Sequence, residues 1–202
     1  NGLSAKYGNA TGGIVSITTK GITRQLSGSV QLQHSVEGYN QNLGSLEFSG
    51  PLYSKKKNGV KTPIVGYVFN AQFTYDKDGD PAYYKYTRLK PASMERLQAN
   101  PIIANPNGTG SFVQASALVT NADFEKVKAR ENGQSLGFNY VGKIDFQPND
   151  NINVTLGTYA TFSKVNEYSF FNSLFSPEAN TIRQDLNARG LFRFTQRLGK
   201  SG

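Results

Sequence analysis

Few side chains in this 202-residue chain have types and spacings suited to chemistry. His34 is the only histidine and cysteine is absent, which excludes thiolate zinc sites and disulfide scaffolds. His34 sits near one end of a period-two segment, on its outward parity, and reads as an interfacial side chain rather than a base or ligand. Asp76, Asp78 and Asp80 recur at every second position and can offer carboxylates to a calcium ion. The EF-hand pattern fails, because Pro81 stands where glycine is needed and Thr87 where the bidentate glutamate belongs. A solvated loop tip is the plainer expectation. Arg189, Arg193 and Arg197 share one parity, opposite to Phe192, Phe194 and Leu198, so a strand places all three on one face, suited to pairing with anions. Glu47, Lys143 and Asp145 belong to the same polar lining by the parity of their own segments. No catalytic constellation emerges, and no metal or cofactor is expected; the chain reads as something other than an enzyme.

What positions these residues is alternation. Residues 29–36 place Val30, Leu32 and Val36 on one parity, and 44–52 do the same with Leu46, Phe48 and Leu52. Residues 64–75 set Tyr67, Phe69, Ala71, Phe73 and Tyr75 against Gly66, Val68, Asn70, Gln72 and Thr74. The pattern returns in 136–146, 152–164 and 186–198. Period two sustained in this way is the strand signature. Several of these segments run 11 to 13 residues, about twice the globular mode of ~5–6. A tilted strand crossing a bilayer needs ~9–11 residues.

The connections are unequal. Pro148-Asn149-Asp150-Asn151 is a short turn, and 54–63, with Lys55-Lys56-Lys57-Asn58-Gly59, a moderate polar one. Residues 76–133 and 166–185 are long connections. Short turns at one end and long loops at the other is the asymmetry of outer-membrane barrels, with the longer loops extracellular. Within 76–133, residues 92–98 after Pro91 predict a short helix. Residues 122–130 predict a second, with Asn121 as N-cap and Phe124 and Val127 on one side.

Composition agrees with a β-rich chain. Glycine numbers 21 and phenylalanine plus tyrosine 24, with only 18% charged residues, too aromatic for a disordered polymer. The net charge is +8, but the cations are scattered rather than clustered for nucleic acid, and no nucleic-acid partner is expected. Mean hydropathy is −0.47, without an apolar run of helix-spanning length; a transmembrane barrel is apolar only at alternate residues and has such a value. Six strands cannot close a barrel, whose smallest bacterial forms have eight. The expectation is all-β: six strands of a larger transmembrane antiparallel barrel. The first residues, Asn1-Gly2-Leu3-Ser4-Ala5-Lys6, carry no signal peptide, so export signals are expected to have been removed or to lie upstream.

A resemblance sharpens this. Residues 3–21 read Leu-Ser-Ala-Lys-Tyr-Gly-Asn-Ala-Thr-Gly-Gly-Ile-Val-Ser-Ile-Thr-Thr-Lys-Gly. This resembles the end of the plug domain of TonB-dependent outer-membrane receptors of the Bacteroidota type, in which a Tyr-Gly … Gly-Gly turn precedes an alternating strand ending in Thr-Thr-Lys. Tyr7, Gly8, Gly12, Gly13, Thr18, Thr19 and Lys20 carry the motif, with Gly12-Gly13 allowing a tight reversal. Leu46-Glu47-Phe48-Ser49-Gly50-Pro51-Leu52, residues 142–151 and Phe192-Arg193-Phe194-Thr195-Gln196-Arg197-Leu198 are similar to barrel strands in family order. The resemblance implies a plug end over 1–22 and the first strands of a ~22-stranded barrel over 27–202, with 76–133 as an extracellular loop.

By the same resemblance, the chain is expected in the cell outer membrane, among its lipids, importing a bulky nutrient (siderophore, glycan, peptide or cofactor). Energy would come from the TonB, ExbB and ExbD coupling system through a part N-terminal to this chain. A surface lipoprotein partner stays open, since the plug end departs from the SusC-type form. On this reading Glu47, Lys143, Asp145, Arg189, Arg193 and Arg197 line the lumen, the arginines pairing with plug carboxylates. Two alternatives remain: a non-transporting receptor-like barrel subunit of an outer-membrane assembly, and a soluble β-rich binding module. Tyr83-Tyr84-Lys85-Tyr86 and Tyr168-Ser169-Phe170-Phe171 suit either an interfacial aromatic girdle or a binding surface.

Overall fold

A computed structural model describes residues 21–36, 40–57, 59–80 and 83–199. The elements run β1 (Ser27–His34), β2 (Asn42–Lys57), β3 (Val60–Asp76), β4 (Tyr86–Leu89), α1 (Pro91–Ala99), β5 (Ile102–Ala104), β6 (Phe112–Gln114), β7 (Phe124–Val127), β8 (Ser135–Asn149), β9 (Ile152–Asn166) and β10 (Ile182–Gln196). The chain is predominantly antiparallel β. No described helix is long and apolar enough to cross a membrane.

The main sheet has six strands in the order β1-β2-β3-β8-β9-β10, so each strand pairs with its sequence neighbour once the 76–133 excursion is bypassed. All six alternating segments form these strands, and β2, β3, β8, β9 and β10 reach 15 to 17 residues. They outrun the sequence limits because pairing continues through polar residues. The 54–63 segment is not a loop: β2 and β3 stay paired as far as Lys57↔Val60, with Gly59 just before β3 at φ 81°. A side chain at that φ is strained, which is why glycine closes the hairpin. Register slips between Pro51 and Ser54 absorb the proline, which has no N–H for the ladder. At β8–β9, the Asn149 carboxamide oxygen accepts the backbone N–H groups of Asn151 (2.9 Å) and Ile152 (3.0 Å), closing the turn with one side chain.

The register sorts side chains into two faces. One carries aligned apolar rows: Leu32, Gly44, Phe73, Phe138, Phe162 and Leu186 across the six strands, then Val30, Leu46, Ala71, Tyr140, Ala160 and Ala188. Further down lie Phe48 and Phe69, then Tyr67, Ile144, Leu156 and Phe192, then Val65, Phe146, Val154 and Phe194. Much of this face is open, with Phe73, Phe138, Leu156 and Phe192 all exposed. Phe69 and Tyr140 meet edge to face at 5.5 Å, a contact worth ~0.5–1.5 kcal/mol beyond area burial. The compact apolar core lies elsewhere, in the 76–133 excursion. There Leu89, Leu97 and Ala115 are buried, with Met94, Ile103, Val119 and Phe124 packed around them.

That excursion holds one predicted helix and corrects the other. Pro91 begins α1 at a position where its missing N–H costs nothing, and the helix covers the expected 92–98. Residues 122–130 are not helical. Asn121–Asp123 make a single 3-10 turn, and Phe124–Val127 continue as β7, antiparallel to β4 with Leu89↔Phe124 and Tyr86↔Val127. The cap signal at 120–123 is real, but it starts one turn. Phe124 and Val127 satisfy a helical spacing while being partly buried along a strand whose partner lies far away in sequence.

Candidate functional site

The face opposite the apolar rows is polar, and it gathers the charged residues singled out from sequence. Register places Ser29, Glu47, Asn70, Val141, Tyr159 and Arg189 in one row across the sheet. The row containing Ser49, Val68 and Lys143 follows, then Gly66, Asp145, Thr155 and Arg193. Five of the six candidates therefore share a face. Arg197 lies just past the end of β10, where its backbone N–H donates to the Asn151 carbonyl at 2.9 Å.

Within this face Asp145 is held tightly. Lys143 Nζ lies 2.8 Å from its Oδ2, and Thr155 Oγ1 donates to its Oδ1 at 2.7 Å. Both charged side chains of the pair are largely buried. Arg189 Nε donates to Asn187 Oδ1 at 3.2 Å. Arg189, Arg193 and Glu47 have no ion-pair partner among the described residues. The motif residues Tyr7, Gly8, Gly12, Gly13, Thr18, Thr19 and Lys20 lie outside the described residues, as does nearly all of the 1–22 segment.

Where the chain enters the sheet, it crosses this polar face. A Cβ built on Gly66 lies 2.8 Å from Ile22 Cγ2 and 3.3 Å from Ile22 Cα, so glycine is required for the approach. Gly66 pairs with Asp145, and Ser49, Ile64, Asp145 and Thr155 are all buried nearby on the same side. Gly66→Phe is expected to lift the entering segment off the sheet. Proteolytic cleavage within residues 21–26 should then rise at least about tenfold, with the pairing of β3 to β8 kept.

The loop end is organised by a buried ion pair. Asp78 is fully buried; Arg130 donates to its Oδ1 from Nε (2.9 Å) and Nη2 (2.6 Å), and to Oδ2 from the backbone N–H (2.8 Å). Burial pushes the Asp78 carboxyl upward, but the Arg130 hydrogen bonds and the Asp80 N–H outweigh it, so the group stays below the usual carboxylate value. The same carboxylate raises Arg130, against the opposing effect of burial. The guanidinium also stacks 4.9 Å from the Tyr168 ring centroid and 5.9 Å from that of Tyr86, joining the excursion to the β9–β10 loop. Asn180 makes a second tie, donating from Nδ2 to the Asn132 carbonyl (3.2 Å) while accepting the Ser169 N–H (3.2 Å).

This corrects the acidic loop tip. Asp80 is exposed, but Asp78 is a buried latch and Asp76 Oδ2 accepts a hydrogen bond from Ser135. Among the described residues, no group of three such side chains is placed to hold a metal ion. The aromatic clusters split in the same way: Tyr83, Tyr84, Phe170 and Phe171 are exposed, whereas Tyr86 and Tyr168 flank Arg130. His34 ends its strand with Nδ1 2.7 Å from Asn42 Oδ1, in the row of Asn42, Tyr75, Leu136, Lys164 and Gln184 that borders the apolar rows.

Asp123 is the excursion's polar hub. Its carboxylate accepts the Thr120 backbone N–H (2.8 Å), the Ser93 hydroxyl (2.9 Å) and Arg96 Nη2 (2.6 Å). The Thr120 N–H first, then Ser93, the Thr120 hydroxyl and Arg96 hold its pKa down to about 2, from an ordinary 3.8. A depressed carboxylate stabilises the fold fully above the unfolded value and loses that contribution as pH falls through the folded one. Amide protection of α1 and the 120–123 turn is therefore expected to fall between about pH 4 and 2, and Asp123→Asn should remove that step.

Comparison with known proteins adds no name to this geometry: no protein-family model matches the chain, and neither a curated protein nor a solved structure matches it.

Proposed function

We propose that the chain is the plug–barrel junction and first six strands of a TonB-dependent outer-membrane receptor that imports a bulky nutrient. The carrying observation is the two-faced sheet: long antiparallel strands with open apolar rows on one side and Glu47, Lys143, Asp145, Arg189 and Arg193 on the other. In water such a face is an aggregation surface; against acyl chains it is satisfied. From Phe138 to Phe146 the rows span about 27 Å along the strand, and a ~40° tilt brings this to roughly 20 Å, the scale of the apolar band of such barrels. Neither β1 nor β10 has an outer neighbour among the described residues. Unpaired strand edges in lipid cost several kcal/mol per group, so further strands of the parent chain are expected to pair with both.

The polar face then lines the lumen. Ile22 lies against Gly66, so the described entry of the chain meets the sheet on that face, the side a plug seated inside the barrel would occupy. Arg189 and Arg193, without carboxylate partners among the described residues, are suited to hold plug carboxylates. Transport would proceed by plug rearrangement driven through TonB, with the long-loop end collecting the solute outside. The test is uptake by whole cells expressing the parent protein. Uptake abolished by a protonophore and by deletion of the upstream coupling segment supports import. Assembly in the outer membrane with uptake unchanged by either treatment identifies the non-transporting subunit instead.

A further inference from the structure

At the loop end, a cavity of about 570 Å³ is lined by Asn40, Tyr75, Lys77, Arg88, Lys128 and Gln134, together with residues around Arg130. Its position follows from register. Tyr75 pairs with Asn42 and Leu136, in the row bordering the apolar face, and Asn40 and Gln134, just before β2 and β8, line the cavity beside it. The cavity thus opens at the end of the apolar rows, under the overhang of residues 127–132. Phe73 and Phe138, directly paired, form the next row down.

Four cations line this cavity, and they are not equivalent. Arg130 is spent on Asp78, while Arg88 holds Glu125 at 2.7 Å and the lining Glu131 at 3.4 Å. Lys77 and Lys128 are exposed and have no ion pair among the described residues. Two uncommitted ammonium groups, a tyrosine, and asparagine and glutamine amides above an open aromatic surface match one chemistry: an anionic headgroup attached to an apolar tail. Cavities of ~300–1,000 Å³ are of ligand size.

We propose that this cavity binds the phosphate headgroup of an acidic membrane lipid, with Lys77 and Lys128 contacting the phosphate and the acyl chains lying over Phe73 and Phe138. The assignment rests on the apolar face being turned toward a bilayer. A free phosphate shares the charge but has no use for the aromatic rows, so the lipid is the occupant to which the geometry commits.

The test places the membrane-reconstituted parent protein in nanodiscs of phosphatidylcholine doped with phosphatidic acid, and measures the acidic lipid retained by native mass spectrometry. The wild type should retain phosphatidic acid preferentially, and Lys77→Gln with Lys128→Gln should lose roughly tenfold or more of that preference. Lys77→Arg with Lys128→Arg should keep it, and inorganic phosphate should not displace it. Equal retention by wild type and the glutamine variant overturns the site while leaving the bilayer reading intact. Displacement by inorganic phosphate overturns the lipid as its occupant. Failure of the wild type to enter nanodiscs overturns the bilayer reading and this site with it.

Discussion

Ala71→Arg is expected to cost ~2–4 kcal/mol of folding free energy in a bilayer, whereas Asn70→Arg, one residue away, is expected to be nearly neutral. Ala71 sits between Leu46 and Tyr140 in an apolar row, where a guanidinium turned to acyl chains would have neither water nor a carboxylate. Asn70 points the other way, paired with Glu47 and Val141 on the polar face, where Arg gains a nearby carboxylate. Urea titration of folding into phosphatidylcholine vesicles reads both. The difference between the adjacent positions carries the meaning, because the introduced side chain and the change in net charge are the same in the two variants. Equal costs, or the larger cost at Asn70, would invert or abolish the face assignment.

Arg130→Ala is expected to have the second large effect, ~3–5 kcal/mol, confined to the loop end. Removing the guanidinium leaves Asp78 fully buried without its cation, and also removes the stack on Tyr168. Asp78→Asn should cost less, about 1.5–3 kcal/mol, since the amide keeps one acceptor and Arg130 retains some exposure. Amide exchange in residues 83–134 and 166–181 should report both changes, with the long strands unaffected. The double variant separates the pair's own coupling from the penalty of an orphaned charge. Because Asp78 titrates below the ordinary carboxylate range, the latch is present above about pH 4 and is lost as acid protonates it. Unchanged exchange in Arg130→Ala would show that the two loops are held by other contacts.

The sheet was legible from sequence because its physics is local and repeated. Alternation within each strand records which face every residue takes, and it placed Glu47, Lys143, Asp145, Arg189 and Arg193 together before any pairing was known. What escaped depends on partners distant along the chain. Phe124 and Val127 carry a helical spacing, yet β7 forms because β4 offers a paired edge and Leu89 an apolar neighbour. Lys55 and Lys56 look like turn residues, yet they extend β2 because β3 reaches equally far. Asp78 looks like its neighbours Asp76 and Asp80, and only Arg130, 52 residues on, distinguishes it. Arg130 closes the stretch 122–130, whose spacing suggests a helix, and nothing local in the sequence links it to Asp78. The cavity beside Lys77 and Lys128 was invisible for the same reason, since it exists only where the excursion overhangs the sheet.

The most direct measurement is a nitroxide scan of residues 136–146 in the membrane-reconstituted parent protein, one engineered cysteine at a time, comparing relaxation by oxygen with relaxation by a water-soluble nickel chelate. Even-numbered positions, including Leu136, Phe138, Tyr140, Ile144 and Phe146, should favour oxygen as lipid-facing sites do. Odd-numbered positions should favour the chelate or be shielded from both. Oxygen and chelate accessibilities that fail to alternate, or even-numbered positions shielded from both reagents by a second layer of protein, would contradict a sheet whose two sides meet lipid and lumen.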